Sequence, residues 1–175
     1  MVECRVVDDD GNDVGQGEVG ELILRTERVM KEYYKNPEET AKTIKNGWFY
    51  TGDIAKMDEE DYIYIVDRKK DVIISGGENV YPVEVEEVLL THPKILEAAV
   101  IGTPDERFGE RVTAVVNLKP GEDATKEELL EWCKENFPTY KRPRRIEFGD
   151  IPKSPTQKIL KPELRLRYSS KKTAF

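Results

Sequence analysis

Histidine and cysteine are scarce in this chain of 175 residues. It contains one histidine, His92, and two distant cysteines, Cys4 and Cys133. A single histidine argues against Cys/His zinc clusters and against most His-based catalytic triads. Because there is neither a Cys-x-x-Cys pair nor a disulfide framework, the cysteines favour a reducing compartment, and we expect a cytoplasmic protein.

Long apolar runs and an excess of positive charge are also missing. No hydrophobic run approaches the roughly 20 residues needed to span a bilayer, so we expect no membrane span. The first residues do not follow the pattern of a signal peptide. The 28 Lys and Arg residues against 35 Asp and Glu residues give a net charge of −7. This balance argues against a protein that coats nucleic acid.

The N-terminal part of the chain has the pattern of β hairpins. Short strands are expected at 4–7, 21–25, 54–57 and 62–66, with turns rich in Asp, Gly and Asn between them. Asn36 and Pro37 mark the start of one helix. The aromatic stretch 47–53 is expected to end in a turn at Gly52 and Asp53.

The charged stretch 67–71 marks a change to alternating strands and helices. Strands are expected at 72–74, 98–101, 112–118 and 145–148, and helices at 82–90, 125–137 and 161–168. Thr125 and Glu128 form a capping box at the start of one helix. The predicted fold class is therefore α+β, a β-rich hairpin segment followed by a small mixed α/β domain.

Two motifs suggest ligands that their surroundings do not support. Gly15, Gly17 and Gly20 match the spacing of the dinucleotide fingerprint, but a strand is expected after them where that fingerprint needs a helix. The acidic run 8–13 lacks the glycine position of an EF-hand loop. Both are interpreted as hairpin connections.

Three basic clusters occur, at 68–70, 141–145 and 171–172, the last within an expected frayed tail. A charge run is usually a solvated face. In the second cluster Tyr140 lies beside several arginines. This combination suits a nucleotide, because a ring can stack on a base while guanidinium groups bind phosphates.

Four motifs, taken together and in order, resemble those of a known superfamily. They are YTGD at 50–53, DRKKDVIISGGENVYP at 67–82, YKRP at 140–143 and PKSPTQKIL at 152–160. The chain resembles the final portion of adenylate-forming enzymes, which include acyl- and aryl-CoA synthetases, amino-acid adenylation domains and luciferase. The resemblance implies that residues 1–69 are the β-rich end of a large N-terminal domain and that residues 70–175 are the C-terminal α/β lid domain.

The resemblance assigns three residues to the first half-reaction, in which a carboxylate is joined to the α-phosphate of ATP. Lys158 matches the catalytic lysine, a compact mobile cation. Asp53 matches the acid that holds the ribose hydroxyls of AMP, and Arg68 an arginine that reaches the nucleotide. Many relatives have glycine before the lysine, whereas this chain has Gln157, which leaves the loop shape open.

Further residues are assigned to the second half-reaction, in which the acyl group passes to a thiol. Lys70 matches the hinge about which the lid turns between half-reactions. Gly76 and Gly77 match the loop that lines the pantetheine tunnel. The nucleotide part of CoA is assigned to the positions of Phe108, Tyr140, Arg142 and Arg144.

The expected function is the C-terminal portion of an AMP-forming acid–CoA ligase, which converts a carboxylate, ATP and CoA to acyl-CoA, AMP and pyrophosphate. The resemblance implies an N-terminal adenylation domain as partner and a small carboxylic acid, fatty or aromatic, as substrate. Mg²⁺ is expected with ATP, with no ligand identifiable here. By itself the chain is expected to be inactive. An adenylation domain that loads a carrier protein, or a non-catalytic interaction module, are the alternatives.

Overall fold

The computed structural model describes residues 1–169, so the basic pair Lys171 and Lys172 and most of the expected frayed tail lie outside the described residues. The chain divides after Lys70 into two compact units. The first unit is Met1–Lys70, and the second unit begins at Asp71. None of the described helices is both long and apolar enough to cross a membrane.

The first unit is an antiparallel sheet with one short helix. Its strands run in the order β1-β2-β4-β3, and β5 pairs with β4. Asn36 caps the helix through its side chain, which accepts from the Glu39 amide, as the sequence predicts. The elements are β1 Glu3–Val7, β2 Val19–Arg25, α1 Pro37–Thr43, β3 Ile44–Lys45, β4 Trp48–Met57 and β5 Ile63–Arg68.

The turn expected at Gly52 and Asp53 is wrong, because β4 continues through both residues. Ile23 pairs with Tyr50 and Glu21 pairs with Ile54, so β4 has extra residues at this point of the ladder. Gly52 takes a φ of +71°, which a bulge requires and glycine tolerates. The glycine therefore marks a β-bulge and not a chain reversal.

The second unit is a sheet with helices on both faces. The central strand β9 pairs antiparallel with β8 and parallel with β10, and contacts β6 through Ser75 and Gly109. The elements are β6 Ile73–Ser75, β7 Glu78–Val80, α2 Pro82–Leu90, β8 Ile95–Asp105, β9 Gly109–Leu118, α3 Lys126–Asn136, β10 Arg145–Phe148 and α4 Lys161–Ser169.

Alternate residues of β8 supply the two apolar layers of the second unit. Ala98 and Val100 pack with residues of α2 and α3, such as Leu89 and Leu129. Ala99 and Ile101 pack on the opposite face, with Leu164 of α4 among their neighbours. A strand buried on both faces has a continuous apolar sequence, which explains the run at 98–101. Within residues 1–169, ten strands in two sheets and four helices confirm the mixed α and β fold class.

Candidate functional site

The structure brings together the two residues that were assigned to AMP in the first unit. Asp53 and Arg68 lie opposite each other in the β4–β5 ladder. Arg68 Nε lies 2.8 Å from Asp53 Oδ1, and both side chains remain partly exposed. An accessible carboxylate can accept hydrogen bonds from two neighbouring hydroxyl groups, and the arginine beside it can contact an anion.

Glu21, which the sequence analysis did not single out, connects this region to Lys69. Its Oε1 accepts from the Gly52 amide at 3.1 Å, and its Oε2 accepts from Lys69 Nζ at 2.9 Å. Lys69 also donates to Asp9 at 2.7 Å. Burial opposes the charge of Lys69, but its hydrogen bonds to Asp9 and Glu21 raise its pKa above the usual value. The one sequence feature that could have identified Glu21 is its position as a charged residue within the apolar strand β2.

Lys70 lies in the 3-10 turn Lys69–Asp71 and is exposed. The next residue, Asp71, is buried, and its Oδ1 lies 2.8 Å from Arg165 Nη2 on α4. Sequence analysis missed this pair, because the two residues are far apart in the chain.

A closed hairpin loop carries Lys158. The Ser154 amide donates to the Lys158 carbonyl at 2.8 Å, and the Lys158 amide donates to Ser154 Oγ at 3.2 Å. Gln157 has a φ of +63°, the left-handed region that glycine adopts more readily. Gln157 thus takes a conformation in which a glycine would be unstrained, and Lys158 remains exposed.

The base of this loop is fixed to the start of β8. Lys153 forms an ion pair with Glu97, and Asn117 Nδ2 donates to the same carboxylate at 3.3 Å. Hydrogen bonds from Lys153 and then Asn117 hold the pKa of Glu97 below its usual value. The loop position therefore depends on a residue pair, Glu97 and Lys153, that sequence analysis did not identify.

Gly76 and Gly77 form the turn between β6 and β7, and Gly76 contacts Phe108. Both have positive φ, +63° and +89°, as in the two-residue hairpin turns that favour glycine. The Gly76 amide donates to the Phe108 carbonyl at 2.8 Å. A Cβ on Gly76 would lie 3.3 Å from Phe108 Cδ1, so any larger residue would crowd the ring.

Phe108 is also covered by guanidinium groups. The guanidinium carbon of Arg144 lies 4.4 Å from the ring centroid, and that of Arg107 lies 5.1 Å from it. Arg144 Nη2 donates to the Thr139 carbonyl at 3.2 Å, whereas its buried Nε has no partner within residues 1–169. Burial, followed by the charges of Arg142 and Arg107, lowers the pKa of Arg144. A buried donor without a partner in a positive cluster fits an anionic ligand.

The remaining aromatic residue, Tyr140, is exposed, and Lys141 Nζ lies 5.9 Å from its ring centroid. One group is therefore formed by Gly76, Phe108 and Arg144. Arg142 adds positive charge near Arg144. Tyr140 is next in the chain to Thr139, whose carbonyl accepts a hydrogen bond from Arg144. No group of three or more His, Cys, Asp or Glu side chains within residues 1–169 is arranged to hold a metal ion.

The Lys158 loop and the glycine loop lie at opposite ends of the β8–β9 hairpin. The first is fixed at Glu97, near the start of β8, and the second contacts Phe108, just beyond the end of that strand at Asp105. Asp105 lies eight residues after Glu97 in the same strand, a distance of roughly 26 Å at about 3.3 Å per residue. One unit thus presents two well-separated sites.

The comparisons with known proteins agree with the motifs. Residues 84–158 match the family model described as the AMP-binding enzyme C-terminal domain. The chain is 46% identical over 171 residues to a long-chain-fatty-acid–CoA ligase of Mycobacterium tuberculosis, covering 97% of this chain and 34% of that protein. It is 50% identical over 164 residues to a long-chain-fatty-acid–CoA ligase of Yersinia pestis, covering 93% of this chain and 29% of that protein.

Two further comparisons bear on the thiol and on the fold. A fatty acid–[acyl-carrier-protein] ligase of Streptomyces coeruleorubidus is 44% identical over 168 residues, covering 95% of this chain and 32% of that protein. The crystal structure of ATP-bound MatB from Rhodopseudomonas palustris superposes with a TM-score of 0.91 at 35% identity. That superposition covers 97% of this chain and 34% of that one.

The chain thus spans about a third of the length of the curated relatives it matches. Residues 84–158 match the AMP-binding enzyme C-terminal domain, and the whole chain matches the C-terminal portion of acid–CoA ligases. The recognition made from the four motifs is confirmed, whereas the roles of individual residues stay predictions.

Proposed function

We propose that this chain is the C-terminal portion of an AMP-forming acid–CoA ligase. One observation carries the proposal: the second unit has two sites that lie far apart. The first is the exposed Lys158 on its closed loop, and the second is the positive, aromatic site around Phe108 beside two glycines. A ligase with two half-reactions needs a cation for the first and a binding path for a phosphorylated thiol for the second. The identities of 46–50% to long-chain-fatty-acid–CoA ligases support the same function.

In the proposed first half-reaction, a carboxylate oxygen attacks the α-phosphorus of ATP, and the bond to the β-phosphate oxygen breaks. Pyrophosphate leaves, and the acid is held as an acyl-adenylate. Lys158 would stabilise the negative charge that collects around the phosphorus. Asp53 would accept hydrogen bonds from the ribose hydroxyls, and Arg68, which pairs with Asp53 at 2.8 Å, would hold the nucleotide beside it.

In the proposed second half-reaction, the sulfur of CoA, after losing its proton to solvent, attacks the acyl carbonyl carbon. The carbonyl carbon–oxygen bond to AMP then breaks, and AMP leaves with that electron pair. Gly76 and Gly77 would admit the thin pantetheine arm, since neither presents a side chain. The CoA nucleotide would bind at the aromatic and cationic residues Phe108, Tyr140, Arg142 and Arg144.

The proposal assigns residues 1–69 to the end of a large adenylation domain and residues 70–175 to a lid that turns about Lys70. A fatty acid is the proposed substrate, because the relatives described above carry fatty acids in their names. Mg²⁺ is expected with ATP, and the proposal assigns it no ligand in this chain. The cysteine content supports a cytoplasmic enzyme.

A second candidate function is the transfer of the acyl group to a carrier protein, which the Streptomyces relative favours. The two thiols differ chemically, because CoA carries a nucleotide with phosphates and a carrier protein presents only its pantetheine arm. The unpartnered Nε of Arg144 favours CoA, since it offers a donor to a phosphate oxygen.

A chimeric ligase can test the choice between the two thiols. In this chimera the 175-residue chain replaces the C-terminal third of the Mycobacterium tuberculosis relative. Replacing Arg144 by Gln should raise the KM for CoA by about tenfold or more, as expected for a lost charge-assisted hydrogen bond. The KM values for ATP and acid should not change, and Arg167→Gln on α4 is the matched control.

Free pantetheine, which lacks the nucleotide, should react equally with both forms of the chimera. If Arg144→Gln leaves the KM for CoA unchanged and the chimera prefers a carrier protein, the CoA assignment is wrong and the second candidate function holds.

A further inference from the structure

The residues on either side of Lys70 each form an ion pair inside their own unit. Lys69 pairs with Glu21 and Asp9 of the first unit, and Asp71 pairs with Arg165 of the second unit. We call the pairs Glu21–Lys69 and Asp71–Arg165 the hinge ion pairs. Neither pair touches the residues assigned to ATP or CoA through its own charged groups, so both need another explanation.

In the first unit, side-chain contacts fix the chain as far as Lys69. Asp67 is buried and its carboxylate accepts from the Arg68 amide at 2.7 Å. Glu21 is also buried, and it binds Lys69 at 2.9 Å while accepting from the Gly52 amide. Glu21 therefore links Lys69 to the bulge of β4.

In the second unit, side-chain contacts fix the chain from Asp71 onward. The side chain of Asp71 is only 11% exposed, and its partner Arg165 is 27% exposed. Ile73 is buried in the core, and the Ile74 amide donates to Glu110 at 2.8 Å. Because removing the partner of a buried carboxylate leaves an uncompensated charge, loss of Arg165 should destabilise the position of Asp71.

Lys70 differs from both neighbours. It is exposed, and its side chain makes no hydrogen bond or ion pair to any of residues 1–169. Among residues 69–71, Lys70 is therefore the one whose side chain is not held by another of the described residues.

We propose that Glu21 and Arg165 are positioning residues that fix Lys69 and Asp71 in their own units, and that they confine rotation of the lid to the backbone of Lys70. This role rests on the proposed function, because a ligase with two half-reactions needs its lid to rotate reproducibly between two poses. A hinge of several loose residues would give many poses, whereas a single free residue gives few.

The 175-residue chain itself can be used to test the inference by ¹⁵N relaxation. Backbone order parameters should be near the rigid value of about 0.85 at Arg68, Lys69, Asp71 and Val72, with a minimum below about 0.6 at Lys70 alone. Glu21→Gln should lower the value at Lys69 only, and Arg165→Gln should lower it at Asp71 only. Glu131→Gln, which removes the exposed pair with Lys134, is the matched control and should change neither.

Arg165→Lys retains a cation and should restore most of the order at Asp71, which a general loss of folding would not do. If Arg165→Gln fails to fold, the Lys69→Gln variant tests the same idea from the first unit. Unchanged profiles in Glu21→Gln and Arg165→Gln, or a flexible stretch from Arg68 to Val72 in the wild type, would overturn the inference.

The chimeric ligase supplies a second readout. Glu21→Gln keeps an acceptor for the Gly52 amide, so adenylation should retain its KM for ATP. The kcat for thioester formation should fall at least threefold in both Glu21→Gln and Arg165→Gln. The relaxation experiment needs no catalysis. A chimera without ligase activity would therefore contradict the proposed function alone, and an active chimera whose two half-reactions are equally affected would contradict only the role of the hinge ion pairs.

Discussion

Gln157 determines the shape of the loop that presents Lys158, because its φ of +63° turns the chain back between Ser154 and Lys158. A side chain with a Cβ in this region costs roughly 1–2 kcal/mol, and a β-branched residue is a genuine outlier there. The sequence left the loop shape open, and the structure resolves it: the glutamine adopts the conformation that a glycine would favour.

Two substitutions at this position should separate backbone shape from side-chain chemistry. Gln157→Gly should keep the adenylation rate of the chimeric ligase within about threefold, whereas Gln157→Val should lower it by tenfold or more, because valine strains the loop. The rate of acid-dependent pyrophosphate exchange measures both. Equal rates for the glycine and valine variants would show that the loop shape does not govern Lys158.

Single residues were predicted from the sequence where a motif surrounds them, and they were missed where a partner lies far along the chain. Lys158, Asp53 and Arg68 stand in recognisable motifs. Glu21 and Arg165 do not, because their partners, Lys69 and Asp71, are 48 and 94 residues away. No local pattern specifies such pairs, since they depend on how strands and helices pack.

At the scale of elements, α4 holds one apolar layer of the second unit through a single face. Leu164 of α4 is fully buried against residues of β8, while Leu166, two residues further on, is 79% exposed. Leu164→Ala should lower the free energy of unfolding by about 3 kcal/mol, the usual cost of a large-to-small change in a core. Leu166→Ala should change it by less than about 0.5 kcal/mol, as surface substitutions do.

Urea unfolding followed by Trp132 fluorescence, in a Trp48→Phe background, measures this difference within the second unit. Similar losses for the two leucine variants would contradict the assignment of α4 to the core.

Elements with clear end signals were predicted well. The capping box at Thr125 and Glu128 is confirmed, and α2 has the expected bounds. Elements without such signals were missed: β3 has only two residues, and β7 follows a glycine turn closely. The bulge at Gly52 was taken for a turn, because glycine with positive φ serves both structures.

For the whole molecule, the proposed lid motion makes the backbone of Lys70 more important than its side chain. Proline fixes φ and removes the amide hydrogen. In the chimeric ligase, Lys70→Pro should therefore spare adenylation and reduce thioester formation by about tenfold or more, whereas Lys70→Ala should be much milder. Single-turnover assays of each half-reaction give the comparison. Normal thioester formation in the proline variant would remove the hinge from position 70.

The 175-residue chain alone should not exchange pyrophosphate into ATP in the presence of any acid, because the resemblance places the phosphate loop and acid pocket in another domain. Radiolabelled pyrophosphate with a panel of fatty and aromatic acids measures this directly. Robust exchange by the isolated chain would show that it carries a complete adenylation site.

The central claim is that Lys158 serves the first half-reaction and not the second, and the two half-reactions of Lys158→Ala in the chimeric ligase test it most directly. Acyl-adenylate formation should slow by on the order of 10²-fold or more, as lost charge stabilisation in a transition state typically does. Thioester formation from supplied acyl-adenylate should stay within about threefold of the unsubstituted chimera, and Lys134→Ala should affect neither step. Equal losses in both half-reactions would contradict the account.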